Sequence, residues 1–321
     1  MTVVALVHPS GLLGTELRET LSRRRELWRE LRLLSDDEDE VGNLTEIAGE
    51  AAMVAQISPE EGFEGVDVAF FCGSTEQTRG LIDHRPPGTS AVVMSPGAGP
   101  EDGLPIVAGV NLDGVQRGAA LLSPHPGAVA LAHLVKPLTA FGVERVTATL
   151  IQPASVHGRE ALDEVLEQTR AILNFAPEQA PKEIFPVQMA FNVIPSREYT
   201  DHLPGLVRTI LGFEGDVAVQ VLQAGAFHSY GISLHLSFYD DPGTGEISEA
   251  LAFHPLNDQA VDPELLGLID AAAREELIVG PVEADPLQPG AYWIWAVMDN
   301  LTLGGAQNAV QILEALTGVV N

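Results

Sequence analysis

A single cysteine, Cys72, stands in a chain of 321 residues, which excludes an intrachain disulfide and any zinc cluster built on thiolates. Cations are scarce beside anions. The 17 Lys and Arg face 45 Asp and Glu, a formal net charge of −28, and this argues against nucleic acid or an anionic membrane as a partner. Aromatic residues make up only 6%. Long apolar runs are missing too, because His, Lys or Pro interrupts each one well short of the ~20 residues that cross a bilayer. The chain enters a strand at once without a basic leader segment, so a cytoplasmic location is expected.

What is present is enough for a large core, with 45% hydrophobic and 19% charged residues in a length that suits two domains. Val3 to Val7 is a continuous apolar run, as expected of a parallel strand buried on both faces. A glycine-bearing turn, His8 to Gly14, follows it. Thr15 to Trp28 then carries Leu17, Leu21 and Trp28 at helical spacing, and Leu31 to Leu34 reads as the second strand, ending at Ser35 and five consecutive acids, Asp36 to Glu40. Strand, turn and helix open a dinucleotide-binding βαβ unit. Val66 to Cys72, Ala91 to Met94 and Ile106-Val107 supply later short strands, and alternating strand and helix signals predict a mostly parallel sheet. Cys72 itself reads as a buried structural residue of its strand.

The texture changes after residue 138, to longer strands over Val146–Ile151 and Val217–Phe238 around a helix from Gly158 to Leu173. Ile232, Leu234, Leu236 and Phe238 alternate with Ser233, His235 and Ser237, giving one apolar and one polar face, with His228 in the apolar register. Ala306, Ala309, Val310, Leu313 and Leu316 share one face of a C-terminal helix that needs a partner surface. Between the two textures lies Leu121 to Leu138. Pro126 and Gly127 begin a helix that is apolar nearly all round, hence buried, and that Pro137 stops. Backbone N–H groups at such a start could hold a catalytic thiolate or an anion.

Several segments together resemble the aspartate-semialdehyde dehydrogenase family. They are Gln152-Pro-Ala-Ser-Val-His-Gly-Arg-Glu-Ala-Leu162, Phe185-Pro-Val-Gln-Met-Ala-Phe-Asn-Val-Ile-Pro195, Phe227-His-Ser229 and Asp299-Asn-Leu-Thr-Leu-Gly-Gly-Ala-Gln-Asn-Ala-Val-Gln-Ile312, in order across essentially the whole chain. The resemblance implies an α/β protein: a Rossmann-like nucleotide-binding domain, residues 1–122 plus 299–321, and an α+β dehydrogenase-type catalytic and dimerisation domain, residues 123–298. It also implies a homodimer, and reductive dephosphorylation of aspartyl phosphate with NADPH in amino-acid biosynthesis.

That reaction needs a thiolate, an acid/base, cations for carboxylate and phosphate, and a nucleotide cradle. Counting back from Lys136-Pro-Leu138, the family's cysteine falls on Pro126, with His125 in place of an asparagine. Proline has no nucleophile, but it is a good first helical residue. His228 matches the acid/base histidine, and Gln152 matches a glutamine near the reacting carbon. The substrate arginine position is Val221, the loop Ser95 to Asp102 holds no cation, and the substrate lysine is not found between Ser196 and Ile210. Ser123 shows no base to activate it, and His125 and His133 lack the spacing of a helical metal pair, so no metal site is expected.

For the nucleotide, the family's three-glycine turn becomes His8-Pro-Ser10-Gly11-Leu12-Leu13-Gly14, which keeps the second and third glycines. Ser10 to Gly14, Ser35, Gly73 and Asn300 are the candidate cofactor-binding residues. The carboxylates after Ser35 would repel a 2′-phosphate, so NADP is disfavoured. Two readings stay open there, NAD bound through one carboxylate and an acidic loop on an empty fold. The expected function is that of a homologue similar to the Usg-type paralogues, without the dehydrogenase activity, retained for binding or regulation. A heteromer with an active relative fits this reading. The alternative is an NAD-dependent oxidoreductase that uses His228 and Gln152 without a covalent thioester.

Overall fold

The computed structural model describes residues 2–58, 62–252 and 262–318. It divides into two compact units, residues 1–125 with 305–321, and residues 126–304. These crossings lie a few residues from the expected 122/123 and 298/299. At the second crossing, Asp299 and Asn300 hydrogen-bond to Ala273, Ser155 and Ser229, all residues of the second unit.

The first unit opens with β1 (Thr2–Val7), α1 (Leu12–Arg23) and β2 (Trp28–Ser35). The helix starts earlier than the sequence predicts, because Gly11 is its extended cap and the Thr15 amide already donates to the Gly11 carbonyl. It also ends earlier. Trp28 belongs to β2, and its indole N–H donates back to the Leu21 carbonyl at 2.8 Å, so a tertiary contact imitates helical spacing. A small hairpin, β3 (Leu44–Ile47) and β4 (Glu50–Met53), precedes β5 (Ala55–Gln56), β6 (Val68–Phe71) and α2 (Thr75–Leu81). Then come β7 (Ser90–Val93), β8 (Leu104–Pro105) and β9 (Ala120–Leu122).

Seven of these strands form one parallel sheet in the order β5-β2-β1-β6-β7-β9-β8. Every residue of β6 and β7 is buried, as is Val3 to Val7, which is the signature of a sheet covered on both faces. Strand order reverses between β1 and β6, so a crevice opens at their carboxyl ends. Ile106-Val107 is not a strand. Asn308 takes the Ala108 amide and donates to the Ile106 carbonyl, while Asn111 takes the Val107 amide, and these side chains replace a strand ladder there. Cys72 lies just past β6 and is half-buried as a residue. Its thiol is inside, where burial pushes it up to about 12.

The second unit begins with α3 (Pro126–Val135) and β10 (Val143–Gln152), followed by α4 (Arg159–Leu173), β11 (Val193–Ser196) and α5 (Leu203–Leu211). The chain continues through β12 (Asp216–Ala224), β13 (Tyr230–Phe238), α6 (Gly243–Leu251), α7 (Leu268–Ala271), β14 (Ile278–Ala284) and β15 (Ala291–Met298). Six strands make a mixed sheet, β11-β12-β10-β13-β15-β14, in which only β10 and β12 run parallel. The predicted strand over Val217–Phe238 is therefore two strands joined by a turn. His228 sits in that turn rather than in the apolar register. A Cβ at Gly225 would lie 2.2 Å from the Met189 carbonyl oxygen, so the turn passes where no side chain fits.

Within this unit α4 buries Glu164 and Gln168 beside Ala161 and Val165. The Glu164 carboxylate accepts from the amides of Glu183, Ile184 and Phe185, and Gln168 Oε1 accepts from those of Met189 and Ala190. These bonds supply the backbone partners that an inward-facing loop would otherwise lack. The chain then returns to the first unit as α8 (Asn308–Thr317). Its apolar face, Ala309, Val310, Ile312, Leu313 and Leu316, packs in one core with Val4, Leu6, Leu17 and Leu121. That surface is the partner the sequence called for.

Candidate functional site

Helix α3 places Pro126 at its first position, where a missing N–H costs nothing and φ is preset. The following turns are buried on every side, Gly127 to Ala132 with Leu134 and Val135, as the sequence predicts. The pyrrolidine ring lies against Gly304, where an added Cβ would come within 2.8 Å of the Pro126 Cβ. Pro126 itself offers no thiol, hydroxyl or amine. The chain's one cysteine belongs to the other unit, and the raised thiol there holds its proton at neutral pH. Ser123 is tied to an amide. Its hydroxyl accepts from Asn308 Nδ2 at 2.8 Å within the first unit.

The parallel register of β10 and β12 sets Gln152 opposite Gln223, and the turn into β13 brings Tyr230 alongside. Gln152 is fully buried. Its Oε1 accepts from the Tyr230 hydroxyl at 2.7 Å, and its Nε2 donates to Gln223 Oε1 at 3.0 Å. His157 Nε2 lies 2.9 Å from the same Gln223 oxygen, and the ring's Nδ1 lies 3.6 Å from Glu198. The His157 ring packs edge-on to Phe185. Burial, and secondarily Tyr199 and Glu198, raise the Tyr230 hydroxyl well above its ordinary range, so it stays a neutral donor. This is a network whose polar ends face one another.

The sequence singles out Gln152 but not His157, Gln223, Tyr230 and Glu198, which the structure gathers around it. His157 and Gln223 are 66 residues apart in sequence, and only the β10–β12 register joins them. One signal was available: two glutamines at the carboxyl ends of strands that would otherwise end in apolar residues. His228 is half-buried in the turn, and the next residue, Ser229, is fully buried with φ +74°, a backbone that non-glycine residues rarely adopt. Asn300 Oδ1 accepts from the Ser229 amide at 3.1 Å, and Asn300 also bonds the Ser155 hydroxyl. Asn300 thus belongs to the unit of Pro126, Gln152 and His228, not to that of Gly11.

Val221 and the loop Ser95–Asp102 stand at the positions that the resemblance gives to the anion-binding arginines. Val221 is fully buried, paired in register with Leu150 on one side and Ser196 on the other. The loop Ser95–Asp102 does meet a cation, Arg79 of α2. Asp102 grips that guanidinium through both carboxylate oxygens, at 2.6 and 2.8 Å, and Glu101 adds a third contact at 3.1 Å. Its charge is already matched.

At the crevice of the first unit, the turn His8–Gly14, Ser35 and Gly73 come together at the carboxyl ends of β1, β2 and β6. Ser10 and Gly11 are exposed, Leu12 and Leu13 are half-buried, and Gly14 is buried, with its Cα so close to the Pro9 carbonyl that a Cβ would sit 2.7 Å from it. The Ser35 hydroxyl accepts from the Asp37 amide. His8 adopts φ +56° and is 4% exposed, with Nε2 2.6 Å from Asp36 Oδ1. A Cβ on Gly73 would lie 2.5 Å from His8 Nδ1, so the imidazole occupies the space beside Gly73. A dinucleotide does not fit this arrangement. The side chain stands where the backbone must approach the pyrophosphate, and the carboxylate that would take ribose hydroxyls is engaged. Among the described residues no group of three His, Cys, Asp or Glu side chains is placed to hold a metal ion.

A family model described as "Semialdehyde dehydrogenase, dimerisation domain" matches residues 135–303. The chain is 28% identical to the aspartate-semialdehyde dehydrogenase of Bacillus subtilis, over 98% of this chain and 96% of that protein. It is 27% identical to a USG-1 protein homolog of Pseudomonas aeruginosa, over 98% and 97%. Among solved structures, a probable aspartate-semialdehyde dehydrogenase from Pseudomonas aeruginosa aligns with a TM-score of 0.88 at 25% identity, covering 98% of this chain and 97% of that one. The aspartate semialdehyde dehydrogenase II of Vibrio cholerae, complexed with ASA, shares the fold with a TM-score of 0.87 at 23% identity, covering 99% and 98%. With over half its length matched by the dimerisation-domain model, the chain belongs to the semialdehyde dehydrogenase family, and the relatives it resembles over nearly its whole length include aspartate-semialdehyde dehydrogenases.

Proposed function

We propose that this protein has kept the family scaffold and given up its thioester chemistry, and that it serves as a binding or regulatory homologue. The observation that carries the reading is Pro126 at the first position of α3, where counting from Lys136-Pro-Leu138 places the nucleophile. An acyl-enzyme needs a thiolate there, and proline has neither a nucleophilic atom nor an N–H. Val221 in the arginine position and the matched charge of Arg79 support the same reading from the substrate side. The dimerisation-domain match supports a homodimer through the second unit. The cytoplasmic setting and a mixed dimer with an active relative belong to this proposal as well.

The opposing version, hydride transfer to another carbonyl with NAD and His228, has less behind it, because the crevice as built holds His8 and Asp36 together. A coupled assay with aspartate semialdehyde, phosphate and either nicotinamide nucleotide tests the proposal. The expected rate is that of a no-protein control. Turnover that persists through repeated purification would overturn it.

A further inference from the structure

We infer that His8 is the residue that decides nucleotide recognition in the first unit: its imidazole, held by Asp36, is a latch across the crevice between β1 and β6. The inference uses the family reading of that unit as a dinucleotide fold, but not the loss of the thiolate. Four observations carry it.

The backbone at His8 has φ +56°, a conformation glycine takes freely and other residues rarely adopt. The turn therefore keeps the shape of a glycine turn while presenting a side chain. The ring is 4% exposed, and its neighbour Gly73 leaves room for it, since a Cβ at Gly73 would lie 2.5 Å from Nδ1. Nε2 reaches Asp36 Oδ1 at 2.6 Å, and Asp36 is the first carboxylate beyond β2, the place from which such folds bond a ribose. Finally, Nδ1 is buried without a hydrogen-bond partner among the described residues. A core histidine is normally satisfied at both nitrogens or solvated at one. This ring is anchored at one nitrogen only, by a side chain that is itself 45% exposed, so it can be withdrawn without dismantling a network.

A nucleotide seated in the manner of the fold must displace the ring and break the bond to Asp36. If the closed arrangement holds about nine molecules in ten, apparent binding weakens about tenfold relative to a protein without the latch. NADP gains the same factor from opening it but stays the weaker ligand, because Asp36, Asp37, Glu38, Asp39 and Glu40 remain at the edge of β2.

Calorimetric titration of the purified full-length protein with NAD and with NADP tests this, comparing wild type with His8→Gly and His8→Asn. Glycine suits the backbone. Asparagine tolerates it and is too short to reach Asp36, so two independent variants stand if one folds poorly, with thermal melting as the check on folding. The expected result is NAD bound about tenfold or more tighter by a folded variant than by wild type, with NADP weaker than NAD in every variant. Wild type binding NAD as tightly as the variants, or folded variants binding no better than wild type, would overturn the latch. Both readouts are of binding, so a negative turnover assay leaves them intact, and turnover in wild type would count against the proposed function without touching this comparison.

Discussion

Pro126 and His8 are each a single side chain standing where the resemblance puts a different residue, and each sits on a backbone suited to both. That is why the fold survives them. At the tip of α3, Gly304 is fitted to Pro126 and to Met298, whose Cε would also lie 2.8 Å from an added Cβ. Gly304→Ala should cost about 1–3 kcal/mol by overpacking, read as a lower melting temperature. Cys72 gives a second test. Burial raises its thiol to about 12 from an ordinary 9.0, so the protonated form is the one the fold favours. The associated stability is complete below pH 9 and is lost as pH rises from there toward 12. Native protein at pH 8 should leave Cys72 unmodified by iodoacetamide, while protein unfolded in urea should react fully. Pro126 was legible in the sequence because proline's preference for a helix start is local. His157 was not, because its partners Gln223 and Glu198 arrive from distant segments.

Among the elements, α4 shows how a helix can hold a loop. Removing the Glu164 carboxylate strands three amides, two of them next to exposed residues and one buried, so Glu164→Ala should destabilise the second unit by about 3 kcal/mol. Hydrogen exchange should then lose protection at residues 183–185. Leu166→Ala on the outer face of the same helix should leave both readings nearly unchanged, within about 0.5 kcal/mol. This helix was readable to within a residue of its start from its apolar spacing, and so was the C-terminal helix face. Where the sequence reading failed, another element had supplied the signal. Trp28 mimicked a last helical turn from β2, Ile106-Val107 looked like a strand while Asn308 and Asn111 claimed its backbone, and the run from Val217 to Phe238 concealed the turn that holds His228.

For the whole molecule, the parallel sheet, the α+β second domain and the family followed from patterns spread over the full chain, which single substitutions do not erase. No helix among the described residues is long and apolar enough to cross a membrane. The dimerisation-domain match predicts association, and sedimentation equilibrium should return twice the 34.1 kDa chain mass. A mass of one chain at micromolar concentration would contradict that. With a net charge of −28, any such dimer gathers like charge, and its association should strengthen on going from low to physiological salt.

The central claim is that no covalent bond to substrate forms at the tip of α3. Intact-protein mass spectrometry after incubation with aspartate semialdehyde and a nicotinamide nucleotide, with phosphate left out so that any thioester would accumulate, tests it most directly. The predicted result is an unchanged mass, alongside a relative that carries the cysteine and gains the acyl group. A hydroxylamine-sensitive acyl adduct on this protein, mapped to a peptide spanning residues 121–138, would contradict it.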